Sequence, residues 1–291
     1  MTCSSIGFIG LGAMGMPMAR NLLRKGFQVT VVRHRDPDAP AALAALGAAV
    51  VDSPVELSGL VETVILMLPT SHEVEEVILG SGGLSSRGLA GVMRPGQVLL
   101  DMGTSDPAST RRLADQLAVQ GVAFLDAPVT GGVKGAEAGT LTIMVGGPSE
   151  AVERVRPVLQ ALGAVVVHVG ESGTGHVVKI LNNLIALSTT ALIAEALALA
   201  ERSGVARSTV FEVLEQGSAN SATLRGVASR LRAQQFDPGF KLALARKDLR
   251  LAEALADAVG VRLDVTAAAR AMYDRACDAG MGDLDAAAIA R

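Results

Sequence analysis

The chain has 291 residues, long enough for two domains of ordinary size, and 49% of them are hydrophobic against 19% charged. Aromatic residues make up only 2% and Trp is absent, so the core has to be aliphatic, built from Ala, Leu, Val and Met. A net charge of −3 offers no basic footprint for nucleic acid. Cys3 and Cys277, near opposite ends, make neither a disulfide framework nor a metal cluster, so a reducing cytoplasm is the expected setting, and no signal peptide is read in the opening residues.

Ile6 to Ile9 is a short apolar run suited to a buried strand, and Gly10, Gly12 and Gly15 follow it in G-x-G-x-x-G spacing. Met16 to Lys25 is helix-forming, with Gly26 where a helix end favours φ > 0. The first glycine permits the tight turn, the second lets a pyrophosphate approach the backbone, and the third lets helix and strand pack closely. The phosphates would rest on the N–H groups and positive dipole end of the helix. The spacing alone also occurs in ordinary turns, but between a strand and a helix Gly10-Leu11-Gly12-Ala13-Met14-Gly15 reads as a dinucleotide site.

Gln28 to Val32 reads as the second strand. Where an acidic residue would meet the ribose of NAD, the chain has Arg33-His34-Arg35. Two guanidiniums there would attract a 2′-phosphate, which favours NADP over NAD. The competing reading makes them solvated loop charges, with Asp36 on the ribose of NAD. Pro40 to Gly47 reads as a helix and Val50-Val51 as a short strand. Val64 to Leu68 is a continuous apolar strand ending at Pro69, so Pro69-Thr70-Ser71 falls at the carboxyl edge of a parallel sheet, where ligands bind. Gln97 to Asp101 is another strand, whose tip Met102-Gly103-Thr104-Ser105 aims at the same crevice. Thr104 and Ser105 suit either cofactor contact or capping of the next helix.

Phe124 to Asp126 is a strand that runs through Ala127-Pro128-Val129 into Thr130-Gly131-Gly132. Consecutive glycine N–H groups can form an anion nest, with the Thr130 hydroxyl as a further donor to a substrate carboxylate. An ordinary glycine turn is the alternative. Leu141 to Val145 and Val165 to Val169 read as the last strands. After Gly173 to Gly175 the pattern changes: His176 to about Arg202 is one helix, apolar nearly all round, about 40 Å long at 1.5 Å per residue. Its polar positions, among them Asn182, Asn183 and Glu195, suit a buried helix better than a membrane span. Thr209 to Gln216, Ala222 to Ala233, Lys241 to Val259 and Val265 to Ala279 also have helical spacing. The fold class is therefore α/β, with an N-terminal Rossmann domain over residues 1–170 and an all-helical domain over residues 171–291, joined by the long helix.

Lys179 and Asn183, four apart, share one face near the start of that helix. A lysine in an apolar helix either snorkels to solvent or is desolvated in a cleft, where its lowered pKa suits proton transfer. Four histidines, His34, His72, His168 and His176, form no evident cluster that competes for that role. Lys247-Asp248 sits in an amphipathic helix and, taken alone, reads as a charge pair on a solvated face.

Together these motifs resemble the β-hydroxyacid dehydrogenase family over essentially the whole chain. They occur in order: Phe8 to Gly15; Asp126 to Gly132, continuing to Gly139-Thr140-Leu141; Gly173 and Gly175 ahead of Lys179-Ile180-Leu181-Asn182-Asn183; and Lys247-Asp248-Leu249. The resemblance implies hydride transfer between NAD(P) and a short β-hydroxyacid or its semialdehyde or keto acid. It implies cofactor contacts from the glycine turn, Leu68, Pro69 and Thr104, with the substrate carboxylate on Thr130, Gly131 and Gly132. Lys179 would be the catalytic acid/base, Asn183 would orient substrate, and Lys247 would reach the active site. It further implies a homo-oligomer, a dimer or tetramer, built through the helical domain. The family usually has Ser at the position of Thr130, and Arg33-His34-Arg35 matches neither its NAD nor its NADP branch closely. Two other readings share the fold: an imine reductase-like enzyme and a non-catalytic nucleotide-binding scaffold. Both usually lack the lysine.

Overall fold

The computed structural model describes residues 5–33, 37–80 and 88–291. They form two compact units, Met1–Lys179 and Ile180–Arg291, whose boundary falls inside one helix. The first unit alternates strand and helix: β1 (Ser5–Ile9), α1 (Gly15–Arg24), β2 (Gln28–Val32), α2 (Asp38–Ala44), β3 (Ala49–Val51), α3 (Pro54–Leu60), β4 (Thr63–Leu66), α4 (Ser71–Leu79), β5 (Val98–Asp101), α5 (Pro107–Ala118) and β6 (Ala123–Asp126). It continues with β7 (Val129–Thr130), α6 (Gly132–Ala138), β8 (Leu141–Gly146), α7 (Ser149–Leu162) and β9 (Gly163–Gly170).

Strands β3-β2-β1-β4-β5-β6 are hydrogen-bonded in that order and all run parallel, followed by β8 antiparallel to β6, with β7 and β9 paired to β8. This is the doubly wound order of a dinucleotide-binding sheet, whose ligand crevice opens at the carboxyl ends where the order reverses, between β1 and β4. Successive side chains point to opposite faces, and both faces are covered. Ile6, Phe8, Ile65, Leu100 and Leu125 join Met18, Leu22, Val155 and Leu159 of α1 and α7 in one core. Ile9, Val64, Leu66, Leu99 and Phe124 join Leu57, Val74, Ile78, Leu113 and Leu117 of α3, α4 and α5 in the other.

Helix α7 has Pro157 inside it, which hid it from the pattern of the sequence. Its apolar face overrides the proline: Ala151, Val152, Val155, Val158, Leu159 and Leu162 recur at helical spacing and are all buried. Helix α8 (Thr174–Arg202) starts two residues earlier than its apolar pattern and crosses from the first unit into the second. By length and composition it could span a membrane, with a mean hydropathy of 1.6 over its most apolar window. Ile180, Leu187, Ala191 and Leu197 are buried along it, and 44% of that window is buried in all.

The second unit continues with α9 (Arg207–Leu214), α10 (Ala222–Ala233), α11 (Leu242–Val259) and α12 (Asp264–Ala276). Helix α12 ends at Ala276 rather than Ala279, in a wider turn through Gly280 at φ +82°. Leu187 and Ala191 pack with Leu242, Ala245, Leu249, Ala269 and Tyr273, while Ile193 and Leu197 pack with Phe211, Leu224 and Val227. Tyr273 is fully buried, its hydroxyl donates to the Leu187 carbonyl at 3.2 Å, and burial pushes the phenol well up, so it stays neutral.

Candidate active site

The glycine turn has the geometry a pyrophosphate needs. Gly10 takes φ +98°, and a Cβ on it would lie 2.3 Å from the Met67 carbonyl oxygen. A Cβ on Gly15 would lie 1.8 Å from the Gly10 carbonyl oxygen, so α1 and β1 can pack this closely only through glycine. A Cβ on Gly12, by contrast, meets nothing within 4 Å. That open side is the cradle a phosphate would fill. Helix α1 has no side-chain cap and no acid in its first turn, whereas α3, α4 and α5 are capped by Ser53, Thr70 and Asp106. An anion is thus the fitting cap for α1.

The loops after β1, β4 and β5 converge on this turn. A Cβ on Gly10 would also meet the Leu68 side chain at 3.3 Å, and one on Gly103 would meet the Leu68 carbonyl oxygen at 2.7 Å. Leu68 is half-buried, Pro69 exposed and Thr104 half-buried at the same edge. Capping of α5 by Thr104 or Ser105 is overturned. Asp106 is the cap, accepting the Ala108 N–H at 3.0 Å, while the buried Ser105 hydroxyl donates to Asp101 Oδ2 at 2.6 Å. Pro107 fills the first turn of α5, so the carboxylate just before it is the nearest oxygen to the orphan N–H groups.

At the end of β2, Arg33 is exposed and its Nε lies 2.8 Å from Asp52 Oδ1, also exposed. His34 and Arg35, with Asp36, lie outside the described residues.

Thr130 ends β7, and Gly131 and Gly132 follow with φ +128° and +63°. Both glycines are exposed, and a Cβ on Gly132 would meet nothing within 4 Å. The turn opens directly into α6, which the sequence pattern did not reveal. The buried Asn21 of α1 holds the far end of α6, its Nδ2 donating to the Ala136 carbonyl at 2.7 Å.

Lys179 is half-buried in the second turn of α8, within the first unit. Asn183 follows one turn on, in the second unit, and is buried. Its Nδ2 donates to Asp248 Oδ2 at 2.5 Å, and Lys247 Nζ lies 3.1 Å from Asp248 Oδ1. Asp248 is only 1% exposed, which overturns the solvated-face reading of Lys247-Asp248. Sequence patterning missed Asp248 because an acid next to a lysine looks like an ordinary surface pair. The presence of Asn183 at a buried position of α8 was the one available signal that a partner had to exist.

The sequence also showed no histidine cluster. The structure places His176 wholly buried, with Nδ1 2.8 Å from Thr110 Oγ1 and Nε2 3.6 Å from Asp101 Oδ2, beside an equally buried Asp126. These residues lie up to 75 positions apart in the chain, so no local motif could announce them.

Two family models cover the chain. Residues 5–170 match the NAD binding domain of 6-phosphogluconate dehydrogenase, and residues 173–291 match the NAD-binding domain of NADP-dependent 3-hydroxyisobutyrate dehydrogenase. A 2-(hydroxymethyl)glutarate dehydrogenase of Eubacterium barkeri is 37% identical over 98% of this chain and 93% of its own length. A 3-hydroxyisobutyrate dehydrogenase of Pseudomonas aeruginosa is 40% identical over 93% of this chain and 91% of its own. The chain belongs to the β-hydroxyacid dehydrogenase family. The crystal structure of a 3-hydroxyisobutyrate dehydrogenase from Salmonella typhimurium superposes on this β-hydroxyacid dehydrogenase with a TM-score of 0.89 at 30% identity, covering 98% of both chains. An imine reductase from Pseudomonas sp. reaches a TM-score of 0.64 at 20% identity, which is likeness of fold alone. The protein is an NAD(P)-dependent oxidoreductase acting between a CH–OH group and its carbonyl.

Proposed function

We propose that this enzyme interconverts a short β-hydroxyacid and its semialdehyde or keto acid, with NADP preferred over NAD, in the cytoplasm and as a homo-oligomer. The observation that carries the reading is the placement of Lys179. It follows by one turn a helix start hydrogen-bonded to Asp126, and Asp126 ends the strand whose continuation is Thr130-Gly131-Gly132. A lysine amine can serve as a general acid or base. In reduction Lys179 gives its proton to the carbonyl oxygen, and in oxidation it takes the hydroxyl proton. The Thr130 hydroxyl and the N–H groups of Gly131 and Gly132 hold the substrate carboxylate. To Asn183, its amide bonded to Asp248, we assign the orienting of substrate, and to Lys247 a positive charge for it. Gly10 to Gly15, Leu68, Pro69 and Thr104 would hold the dinucleotide, which supplies or accepts the hydride at its nicotinamide.

Support for NADP comes from Arg33 at the end of β2 and from the description of the second family model as NADP-dependent. Asp52 Oδ1 accepts from the Arg33 Nε, and a guanidinium suits bidentate contact with a 2′-phosphate. Arg33→Asp is expected to shift the ratio of kcat/KM for NADP over NAD toward NAD by about tenfold or more. Support for an oligomer comes from Leu181, Ile185, Leu192 and Leu199, spaced by four and seven along α8 and 48%, 65%, 56% and 70% exposed. A second copy of the chain would cover that stripe, and Leu192→Glu would then lower the mass seen by light scattering.

The deciding experiment is absorbance at 340 nm with NAD and NADP in parallel, over glyoxylate, succinic semialdehyde, tartronate semialdehyde, methylmalonate semialdehyde, threonate and 3-hydroxyisobutyrate. Turnover on one of these supports the reading. Cofactor binding with no turnover on any would return the scaffold reading.

A further inference from the structure

Three ionisable side chains of the first unit are shielded completely from solvent and have no part in the chemistry above: Asp101, Asp126 and His176. They meet where β5 and β6 end and α8 begins. Asp126 Oδ1 accepts the Gly173 N–H and Oδ2 accepts the His176 N–H, both at 2.8 Å. These are orphan donors of the start of α8, so Asp126 caps that helix and also faces the positive end of its dipole. Space for the carboxylate is made by two glycines. A Cβ on Gly146 would lie 2.6 Å from Asp126 Oδ1, and one on Gly175 would lie 2.9 Å from Oδ2.

The source of this cap matters. Helices α3, α4, α5 and α10 are capped by the residue just before them, which fixes where each begins. Helix α8 takes its cap from a strand 47 residues earlier, which fixes the helix against that strand. The His176 ring adds a second tie. Thr110 Oγ1 gives its own proton to the Asp106 carbonyl at 3.1 Å, so it accepts from His176 Nδ1, and Nε2 is left facing Asp101. Asp101 in turn accepts the Gly103 N–H at 2.9 Å and the Ser105 hydroxyl at 2.6 Å.

Each member leads into one piece of the proposed site. Asp101 is three residues before Thr104, Asp126 four before Thr130, and His176 three before Lys179. We infer that Asp101, Asp126 and His176 form a buried mount that sets the cofactor loop, the substrate turn and the lysine-bearing helix in register, with Asp126 the positioning residue for Lys179. Burying two carboxylates is a poor way to gain stability, since an apolar replacement of similar volume commonly serves as well. Their oxygens are spent on directional bonds to two separate segments, residues 103–105 and 173–176, which an apolar cluster cannot supply. The inference rests on the proposed role of Lys179.

The test is a double-mutant cycle with Asp126→Asn and Lys179→Ala, assayed for kcat, KM and cofactor dissociation constant, with folding followed by circular dichroism. Asparagine keeps the shape but turns an NH2 toward one of the two helix N–H groups. Displacing a reacting group by about 1 Å costs on the order of 10²-fold, so Asp126→Asn is expected to lower kcat by that factor while cofactor affinity holds. In the Lys179→Ala background the same change is expected to add less than about threefold, because it acts through the lysine. Equal factors in both backgrounds, or a kcat for Asp126→Asn close to wild type, would overturn the mount while leaving Lys179 in place. Full activity of Lys179→Ala would instead remove the reading beneath it. If Asp126→Asn does not fold, Thr110 decides: Thr110→Val should lower kcat about tenfold and Thr110→Ser should restore it, as expected for loss of one buried hydrogen bond. Equal kcat for the two would refute the inference.

Discussion

The two units hold the residues proposed for the site in different ways. In the nucleotide-binding unit a parallel sheet is covered on both faces, and its buried acids are bonded into loops at one edge: Asp101 to Gly103 and Ser105, Asp126 to Gly173 and His176. In the helical unit the proposed site residue Asn183 bonds side chain to side chain with Asp248, while the buried Asp285 again accepts backbone N–H groups, of Gly239, Phe240 and Ala287. A sheet edge collects loop backbones, so it builds sites from turns. A helix satisfies its own backbone except at its ends, so its middle contributes to a site only through side chains. The first unit should therefore respond sharply to changes of shape in its turns, and the second to changes of chemistry at single side chains.

Lys179, a helix residue at the end of the first unit, tests the weight of a single side chain most strongly. Lys179→Ala should lower kcat by about 10²–10⁴-fold, the range for a lost general acid or base, with cofactor affinity intact by fluorescence titration. Turnover near wild type would show that the chemistry lies elsewhere. The glycine turn tests the other half. Gly15→Ala forces a Cβ to 1.8 Å from the Gly10 backbone, so unfolding in denaturant should show a loss of about 3 kcal/mol or more. Gly12→Val, with nothing within 4 Å of its Cβ, should leave stability within about 0.5 kcal/mol and yet weaken NADP binding about tenfold. If both glycine variants lost stability alike, the open cradle at Gly12 would be wrong.

Asp248→Ala should come next. It leaves the buried Asn183 amide without its acceptor, at a cost of about 2 kcal/mol. Asp248→Asn should recover part of it, and calorimetry would compare the two. The smallest effect concerns the surface of the helical unit. The hydrogen bond from Arg232 holds the Glu215 carboxyl below its ordinary 4.5. A lowered carboxylate contributes stability above its unfolded pKa and loses it as pH falls through the lowered value. Arg232→Met should thus lower the melting temperature slightly at neutral pH, and the difference from wild type should vanish as pH falls through the lowered Glu215 value. A neutral-pH loss as large as that of Asp248→Ala would place this pair among the structural bonds of the unit.

How legible each part was follows from the range of the interaction behind it. The strands β1, β2, β5 and β8 and the turn at Gly10 to Gly15 are local patterns, and their apolar runs and glycine spacing could be read directly. Helices α3, α4 and α7 were not anticipated, because Pro157 and short polar stretches hide an apolar face that only packing against the sheet makes plain. Thr104 and Ser105 were ambiguous since a hydroxyl before a helix can cap it or turn inward. Ser105 turned inward because Asp101 waits for it in the interior. Asp248 was misjudged, and the setting of His176 could not be read, because their partners lie 65 and 66 residues away.

The sequence by itself determined what short-range chemistry can determine: the nucleotide turn, the alternation of strand and helix, the apolar spine and the position of its lysine. Spacing of glycines and apolar residues specifies backbone conformation and burial one segment at a time. Which acids would be buried, which hydroxyls would face inward, and which strand would cap the lysine-bearing helix were decided only by the tertiary structure. Each of those bonds joins segments far apart in the chain, and a donor and an acceptor become partners only once the sheet has brought their loops to the same edge.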